Sequence, residues 1–352
     1  MSESEILFER RGAAGLITLN RPQALNAVTH GMVLALRAQL DAWGDDPAIT
    51  RVVITAAAGR AFSAGGDIRA LYDLGKADRR REGLQFWRDE YPLNAAIKSF
   101  RKPYVALIDG IVMGGGVGVS VHGSHRVAGD RYTFAMPEVG IGFFPDVGAT
   151  WFLPRMPGEL GAYCALTGEH FGIADAVAAG IATRRIPSAR FGALLDGLTG
   201  TVSVDALLSA FSEAAGEGPI MARRDAIDRL FRHYRVEDIL SALDREAAFG
   251  RADAEWAGKT ANTIRTKSPL SLKLALAQVR RGKDWDFAAC MRAEFRIVSR
   301  VIEAHDFYEG VRAVIVDKDN KPRWQPATLG EVSDAEIERH FAPLGGDELA
   351  LP

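Results

Sequence analysis

The alternation of apolar and polar residues predicts strands and helices that follow one another through the first half of the chain. Three short apolar runs predict strands: "GLITLNRP" (15–22), "TRVVITAA" (50–57) and "KPYVALIDG" (102–110). Between them, "THGMVLALRAQLDAWGDD" (29–46), with Thr29 as N-cap, and "REGLQFWRDEYPLNAAIKSF" (81–100) have the period of helices. Because the strands are apolar throughout, we expect an α/β core whose sheets are buried on both faces.

The second part of the chain has a different pattern. From about Val202, apolar residues recur at helical spacing in successive segments such as "VSVDALLSAFSEAAG", "PLSLKLALAQVRRG" and "DFAACMRAEFRIVSRVIEA". The segment "SEAAGEGP" (212–219) has the composition of a linker. The sequence therefore predicts an α/β core over residues 1–200 and a mainly helical C-terminal region over residues 201–352.

Composition and charge narrow the class of protein. Of 352 residues, 47% are hydrophobic and 25% charged, as in ordinary globular proteins, and the net charge of -2 gives no general attraction to nucleic acid or anionic membranes. No apolar run reaches the roughly 20 residues of a membrane helix, and the acidic start "MSESEILFERRG" has no apolar signal segment. We expect small-molecule partners, no nucleic acid, no membrane and a cytoplasmic location. Cys164 and Cys290, which lack metal or redox spacing, are expected to be buried.

Two glycine turns, "SAGGD" (63–67) and "MGGGVG" (113–118), are candidate binding elements. The dinucleotide motif G-x-G-x-x-G does not fit "MGGGVG": starting the motif at Gly114 or Gly116 places Val119 or Val121 at its third glycine. Neither turn has the Gly-Lys-Ser/Thr ending of a phosphate-binding P-loop. Bare backbone N–H groups at a helix start suit an oxygen that carries negative charge, such as a thioester oxyanion. The alternative is that the glycines only permit close packing. Asp67 is expected to cap a helix that begins at Ile68.

The segment "MPEVGIGFFPDVG" (136–148) places two acids, Glu138 and Asp146, in an otherwise apolar run. Its glycines and Pro145 predict a bent loop that brings both acids to one pocket. A poorly solvated carboxylate has a raised pKa and is a better base. The alternative is that these acids only cap loop amides.

Two other kinds of site are not predicted. His122 and His125 have no third ligand at a recognisable spacing, so a zinc site is not expected. The G-x-S-x-G motif of serine hydrolases is absent from the sequence.

Five segments together carry a family resemblance. "RPQALNAV", "GRAFSAGGDI", "IDGIVMGGGVGVSV", "MPEVGIGFFPDVG" and "LTGEHFGIADAVAAGIA" resemble, in order and spacing, the enoyl-CoA hydratase/isomerase (crotonase) superfamily. The resemblance implies a spiral of β-β-α units with a helical C-terminal part, an acyl-CoA substrate, and a thioester oxyanion bound by the N–H groups of Gly66 and Gly115. It implies no metal and no cofactor other than the coenzyme A (CoA) of the substrate. It also implies CoA contacts at Leu25, Ala27, Ala64, Gly66 and Ile68.

Departures from the hydratase pattern indicate the reaction. Gly118 stands where hydratases carry their first catalytic glutamate, whereas Glu138 matches their second. Asp146 looks like the 3-hydroxyisobutyryl-CoA hydrolase branch, which "SPLSLKLAL" (268–276) and "DFYEGVRAVIVDKDNKPRWQP" (306–326) also resemble. The branch implies hydrolysis of 3-hydroxyisobutyryl-CoA to 3-hydroxyisobutyrate and CoA, a step of valine degradation.

The same resemblance suggests roles for three acids. Glu138 is expected either to attack the thioester carbonyl or to activate water against it. Asp146 is expected to accept a hydrogen bond from the 3-hydroxyl of the substrate. Glu90, in "RDEY", matches a substrate-contacting acid of the branch, although a solvated helix face is the alternative.

Other readings stay open at the level of sequence. The rivals are an enoyl-CoA isomerase or hydratase of the same superfamily and a non-catalytic relative that binds acyl-CoA or RNA. The basic clusters "KADRRRE" (76–82) and "RRGK" (280–283) are expected to be solvated helix ends, one of which is a candidate for the CoA phosphates. A homo-oligomer is possible, since trimers are frequent in the superfamily.

Overall fold

The computed structural model describes residues 4–250 and 252–351, and nine strands in this part form two sheets. The strands are β1 (Ile6–Arg11), β2 (Ala14–Leu19), β3 (Arg51–Ala56), β4 (Ala61–Ser63), β5 (Tyr104–Ile108), β6 (Ile111–Met113), β7 (His125–Ala128), β8 (Thr133–Ala135) and β9 (Arg184–Arg185). The large sheet has the order β1-β2-β3-β5-β7-β9, and the small sheet has the order β4-β6-β8. Among the strand pairs of the described residues, β1–β2 is antiparallel and the others are parallel.

Sixteen α-helices surround these sheets in the described residues. They are α1 (His30–Asp45), α2 (Ile68–Lys76), α3 (Arg80–Lys98), α4 (Gly115–Gly118), α5 (Ala149–Phe152), α6 (Leu160–Thr167), α7 (Ile173–Ala178), α8 (Phe191–Leu198), α9 (Val204–Phe211), α10 (Arg224–Phe231), α11 (Val236–Ala248), α12 (Ala254–Arg265), α13 (Pro269–Gly282), α14 (Phe287–Val301), α15 (His305–Val311) and α16 (Asp334–Phe341). Within the described ranges, none of them combines the length and the apolar character that a membrane span requires.

Successive strands alternate between the two sheets. β3, β5 and β7 enter the large sheet, each is followed by a strand of the small sheet, and helices lead back to the next repeat. This is the predicted spiral of β-β-α units. The large sheet is buried on both faces as predicted: α8 and α9 cover one face and the main core covers the other.

The small sheet was not predicted, because its strands are only three residues long and show no period. The "MGGGVG" turn was expected to stand at the start of a helix. The structure instead has a strand at Ile111–Met113 and only a four-residue helix at Gly115–Gly118. Glycine-rich sequence disfavours a longer helix.

Several local predictions are confirmed. The Thr29 side chain caps α1 by accepting a hydrogen bond from Met32 N at 3.2 Å. Asp67 caps α2 in the same way through Ala70 N. Both cysteines are buried and unpaired.

The C-terminal helices contribute to the same core as the sheets. α13 packs against α5 and α6, and α14 packs against α3 and α5. The main hydrophobic core accordingly includes side chains from both sides of residue 200. The division of the chain at that residue stays a prediction.

Candidate active site

A cavity of about 640 Å³ lies where the two glycine turns, the acidic loop and the C-terminal helices meet. We call it the central cavity. All nine residues singled out from the sequence line it: Leu25, Ala27, Ala64, Gly66, Ile68, Glu90, Gly115, Glu138 and Asp146. Residues from five separate segments are thus brought to one site.

The two glycine turns contact each other at the wall of this cavity. A Cβ atom on Gly115 would lie only 3.1 Å from Gly66 N. Gly65 and Gly114 adopt φ values of 128° and 44°, which favour glycine. Within residues 4–250 and 252–351, neither Gly66 N–H nor Gly115 N–H has a hydrogen-bond acceptor. Two neighbouring donors are therefore available to a ligand oxygen.

Glu138 lies beside these donors. It begins a 3-10 helix, Glu138–Ile141, and its Oε1 would be 3.6 Å from a Cβ on Gly114. The residue is 6% exposed, and its Oε2 has no hydrogen-bond partner among the described atoms. Burial, and secondly the charge of Asp146, raise the pKa of Glu138 well above its ordinary value. An ionised Glu138 is consequently a strong base or nucleophile.

Asp146 enters the same cavity from the far end of the loop. The Tyr91 hydroxyl donates a hydrogen bond to its Oδ2 at 3.0 Å. Burial raises the pKa of Asp146 to about 7, against the opposing effect of hydrogen bonds from Tyr91 and Trp87. The side chains of both acids line the cavity.

Glu90 reaches the cavity from α3 and is 1% exposed, so its assignment to a solvated helix face is wrong. Its Oε1 would lie 2.9 Å from a Cβ on Gly115 and has no partner in the described part of the chain. Burial, followed by the charges of Asp146 and Glu294, raises the pKa of Glu90. The sequence of α3 is polar overall, so it gave little sign that one face of the helix is buried. That face includes Trp87, Glu90, Tyr91 and Asn94, which recur at helical spacing.

Four further residues of the cavity wall come from the C-terminal helical part: Lys267, Val314, Ile315 and Asn320. Arg69 and Lys267 are the cations of the wall, and Arg69 pairs with Asp73 at 3.0 Å. Lys267 has no ion pair with any described residue, and burial lowers its pKa. Sequence patterns gave no indication of Lys267, because it precedes α13 as a single basic residue.

The predicted basic clusters lie elsewhere. Arg280 binds Glu159 and Arg281 binds Glu338, while Lys76 and Arg80 line a separate surface pocket. None of these four residues lines the central cavity.

The two histidines have structural contacts. His122 Nε2 lies 2.7 Å from the Val147 carbonyl oxygen, and burial lowers the pKa of His122 to about 4. His125 pairs with Asp205 at 3.1 Å. The described residues contain no group of three or more histidine, cysteine or acidic side chains arranged to hold a metal ion.

Comparison with known proteins agrees with this geometry. A family model described as enoyl-CoA hydratase/isomerase matches residues 14–341. The chain therefore belongs to the enoyl-CoA hydratase/isomerase family.

Within that family, a curated relative is similar over the whole chain. The mitochondrial 3-hydroxyisobutyryl-CoA hydrolase of Xenopus tropicalis is 43% identical over 362 residues, which cover 100% of this chain and 92% of that protein. The predicted resemblance to this branch is confirmed.

Two solved structures have the same fold. One is named a carnitinyl-CoA dehydratase from Mycobacterium thermoresistibile, with 42% identity, a TM-score of 0.92 and 99% of each chain covered. The other is named an enoyl-CoA hydratase from Rhodobacter sphaeroides 2.4.1, with 39% identity, a TM-score of 0.91, and 99% of this chain and 100% of that chain covered. The predicted crotonase-like fold is confirmed.

The expectation of a cytoplasmic location is wrong by the same comparison, because the hydrolase relative is a mitochondrial protein. The expectation relied on composition and on the first residues of the sequence. Cellular location depends on targeting segments rather than on the fold, so composition and the first residues of the sequence were not sufficient to predict the location.

Proposed function

We propose that this protein hydrolyses the thioester of a short 3-hydroxyacyl-CoA, most closely 3-hydroxyisobutyryl-CoA, to the free acid and CoA. One observation carries the proposal: Glu138 and Asp146 line one cavity with the Gly66 and Gly115 N–H groups. The name of the hydrolase relative supports the same reaction.

The glycine turns provide the binding site for the reacting oxygen. The thioester carbonyl oxygen accepts hydrogen bonds from Gly66 N–H and Gly115 N–H, which hold the charge that develops on it. Because these donors are fixed in the backbone and need no rearrangement, they stabilise the tetrahedral intermediate by about 3 kcal/mol for each donor.

Glu138 acts on the carbonyl carbon in one of two ways. Its carboxylate attacks directly, the C–S bond breaks, the CoA thiolate leaves, and water then hydrolyses the mixed anhydride. Alternatively, Glu138 takes a proton from water, whose oxygen attacks the same carbon; the C–S bond then breaks, and the CoA thiolate leaves and takes up the proton. Intact-protein mass spectrometry after a rapid acid quench separates the routes, since only the first adds an acyl group to Glu138.

Asp146 and Glu90 give the pocket its preference for a hydroxylated acyl group. An ionised Asp146 accepts a hydrogen bond from the 3-hydroxyl, and Tyr91 fixes the orientation of its carboxylate. Glu90 carries an unpartnered oxygen beside Gly115, where it contacts the same acyl group.

Lys267 is the cation of the cavity wall that is free to bind the CoA phosphates. Within the described residues it forms no direct ion pair, and the charge of Glu169 acts on it only from a greater distance, so a phosphate would supply a direct partner. The substrate brings its own CoA, so the proposed reaction requires no other cofactor. A homo-oligomer remains a prediction.

The main rival is addition or removal of water at a double bond, as the names of the two structural neighbours suggest for those proteins. Hydration in this family uses two glutamates, and the first of them is replaced here by Gly118. Isomerisation needs one acid and remains the second candidate.

A panel of thioesters separates these reactions. The wild-type protein is expected to release free thiol from (S)-3-hydroxyisobutyryl-CoA and 3-hydroxypropionyl-CoA, with slower release from isobutyryl-CoA. Hydration of crotonyl-CoA or double-bond migration in a 3-enoyl-CoA without thiol release would contradict the proposal. RNA binding at sub-micromolar protein that weakens with salt, without thiol release, would instead favour the non-catalytic reading.

A further inference from the structure

The backbone that follows Asp146 is held by an acid from the C-terminal helices. Glu294 of α14 accepts hydrogen bonds from Gly148 N at 2.7 Å and from Thr150 N at 2.8 Å. Glu294 is completely buried, and the two contacts join positions 146 and 144 residues apart in the chain. One carboxylate thus accepts from two of the N–H groups at the start of α5, while Ala149 N donates to the Asp146 carbonyl oxygen.

The carbonyl groups of the residues before and after Asp146 are held as well. Gln278 of α13 donates a hydrogen bond from Nε2 to the Pro145 carbonyl oxygen. His122 contacts the Val147 carbonyl oxygen at 2.7 Å. We call Gln278, Glu294 and His122 the Asp146 clamp.

This clamp surrounds a strained turn. Val147 has φ of 51°, a left-handed conformation that β-branched residues rarely adopt, and Gly148 follows with φ of 91°. A backbone of this kind persists only where its surroundings hold it. The turn directs the Asp146 side chain into the central cavity, where Tyr91 meets it.

We propose that Glu294 and Gln278 are positioning residues for Asp146, so that the preference for a 3-hydroxyl group depends on α13 and α14. The inference rests on the proposed function, because it assigns Asp146 to the substrate hydroxyl. Neither residue lines the central cavity, and both contact the loop that carries Asp146 through hydrogen bonds to its backbone. Selectivity, and not only stability, should therefore respond to changes in the clamp.

The test compares two thioesters that differ in one hydroxyl group. Thiol release from 3-hydroxyisobutyryl-CoA and from isobutyryl-CoA is measured for wild type, Glu294→Gln, Gln278→Leu, Asp146→Ala and the double variant Asp146→Ala/Glu294→Gln. Glu246→Gln is the matched control, because Glu246 is also buried but pairs with Arg229 on another pair of helices. The ratio of the two kcat/KM values is the readout.

The expected result is a loss of selectivity. Glu294→Gln and Gln278→Leu should each lower the ratio at least about tenfold, mainly through the hydroxylated substrate. In the Asp146→Ala background, Glu294→Gln should change the ratio by less than about twofold, because the group it positions is gone. Glu246→Gln should leave the ratio unchanged.

Two results would overturn the inference. One is an equal fall of kcat/KM on both thioesters, which indicates a structural role alone. The other is a Glu294→Gln effect on the ratio that persists without Asp146. If Glu294→Gln does not fold, Gln278→Leu decides by the same criteria. If the wild-type protein releases no thiol from either thioester, the proposed function itself is wrong. If the wild-type protein hydrolyses 3-hydroxyisobutyryl-CoA but the variants give one of the two results above, only the inference about the clamp is wrong.

Discussion

Val147 fills the space beside Gly118: a Cβ atom on Gly118 would lie 2.9 Å from the Val147 Cβ. Asn94 closes the same space from α3, with its Nδ2 2.8 Å from that point. Hydratases of this family carry a catalytic glutamate at position 118, and here no side chain fits there without displacing its neighbours. The packing around Gly118 therefore leaves no room for the glutamate that hydratases carry there.

The first prediction concerns Gly118→Glu. The substitution should not create hydratase activity, and it should lower the free energy of unfolding by about 3 kcal/mol or more, since it overpacks a buried site and buries a charge. Urea unfolding and a crotonyl-CoA hydration assay measure both effects. Gly172→Glu is the control, because a Cβ on Gly172 meets nothing within 4 Å. A Gly118→Glu protein that is stable and hydrates crotonyl-CoA would refute this account.

Tyr91→Phe tests the hydrogen bond to Asp146. The Tyr91 hydroxyl lowers the pKa of Asp146, so its removal should raise that pKa further from its value of about 7. If catalysis needs ionised Asp146, the acidic limb of the kcat/KM profile should move to higher pH by about 0.5 to 1 unit. Tyr104→Phe, which loses a hydroxyl bonded to the Val119 carbonyl, serves as the control. An unchanged profile in Tyr91→Phe would exclude this role for Asp146.

Asp146 should also make stability depend on pH. The pKa of an unperturbed aspartate is 3.8, and the pKa of Asp146 in the folded protein is about 7. The folded state therefore binds the proton more tightly than the unfolded state. This contribution to stability is greatest at low pH and is lost as pH rises from about 4 to about 7. Asp146→Asn lacks the titration, so its stability relative to wild type should increase by roughly 1 to 3 kcal/mol between pH 5 and pH 7. Urea unfolding at pH 5 and pH 7 measures the free energy of unfolding of both proteins. A difference between variant and wild type that is the same at both pH values would contradict the prediction.

Lys267→Met should weaken binding of the CoA phosphates. We expect KM to rise about tenfold and kcat to change by less than about twofold, because the charge contacts a part of the substrate remote from the reacting carbon. The corresponding acyl-pantetheine thioester lacks the CoA phosphates and should show no change in KM. Lys283→Met, an exposed residue outside the central cavity, is the control variant. A similar rise in KM with both thioesters would indicate that Lys267 supports the fold instead.

The sequence was sufficient for the family, the spiral of β-β-α units and nine of the residues that line the central cavity. Glycine pairs, buried acids and apolar strands leave local patterns, and the family spacing connects them. Glu138 and Asp146 could be paired because both stand in one short apolar segment.

The supporting residues could not be predicted in this way. Glu294 and Gln278 meet the acidic loop only through helix packing across more than 130 residues, and no local pattern encodes such contacts. Lys267 was missed for the same reason, since it stands just before α13 and reaches the cavity only through the packing of that helix. The three-residue strands of the small sheet were missed because they depend on neighbouring strands and have no period of their own.

Thiol release by Glu138→Gln tests the central claim most directly. Glutamine keeps the size of the side chain but neither attacks the carbonyl nor accepts a proton from water. With (S)-3-hydroxyisobutyryl-CoA, the wild-type protein should release one equivalent of CoA per substrate, and the variant should be slower by at least about 100-fold while it remains folded. Release by the variant at a rate close to that of wild type would show that Glu138 does not perform the reaction.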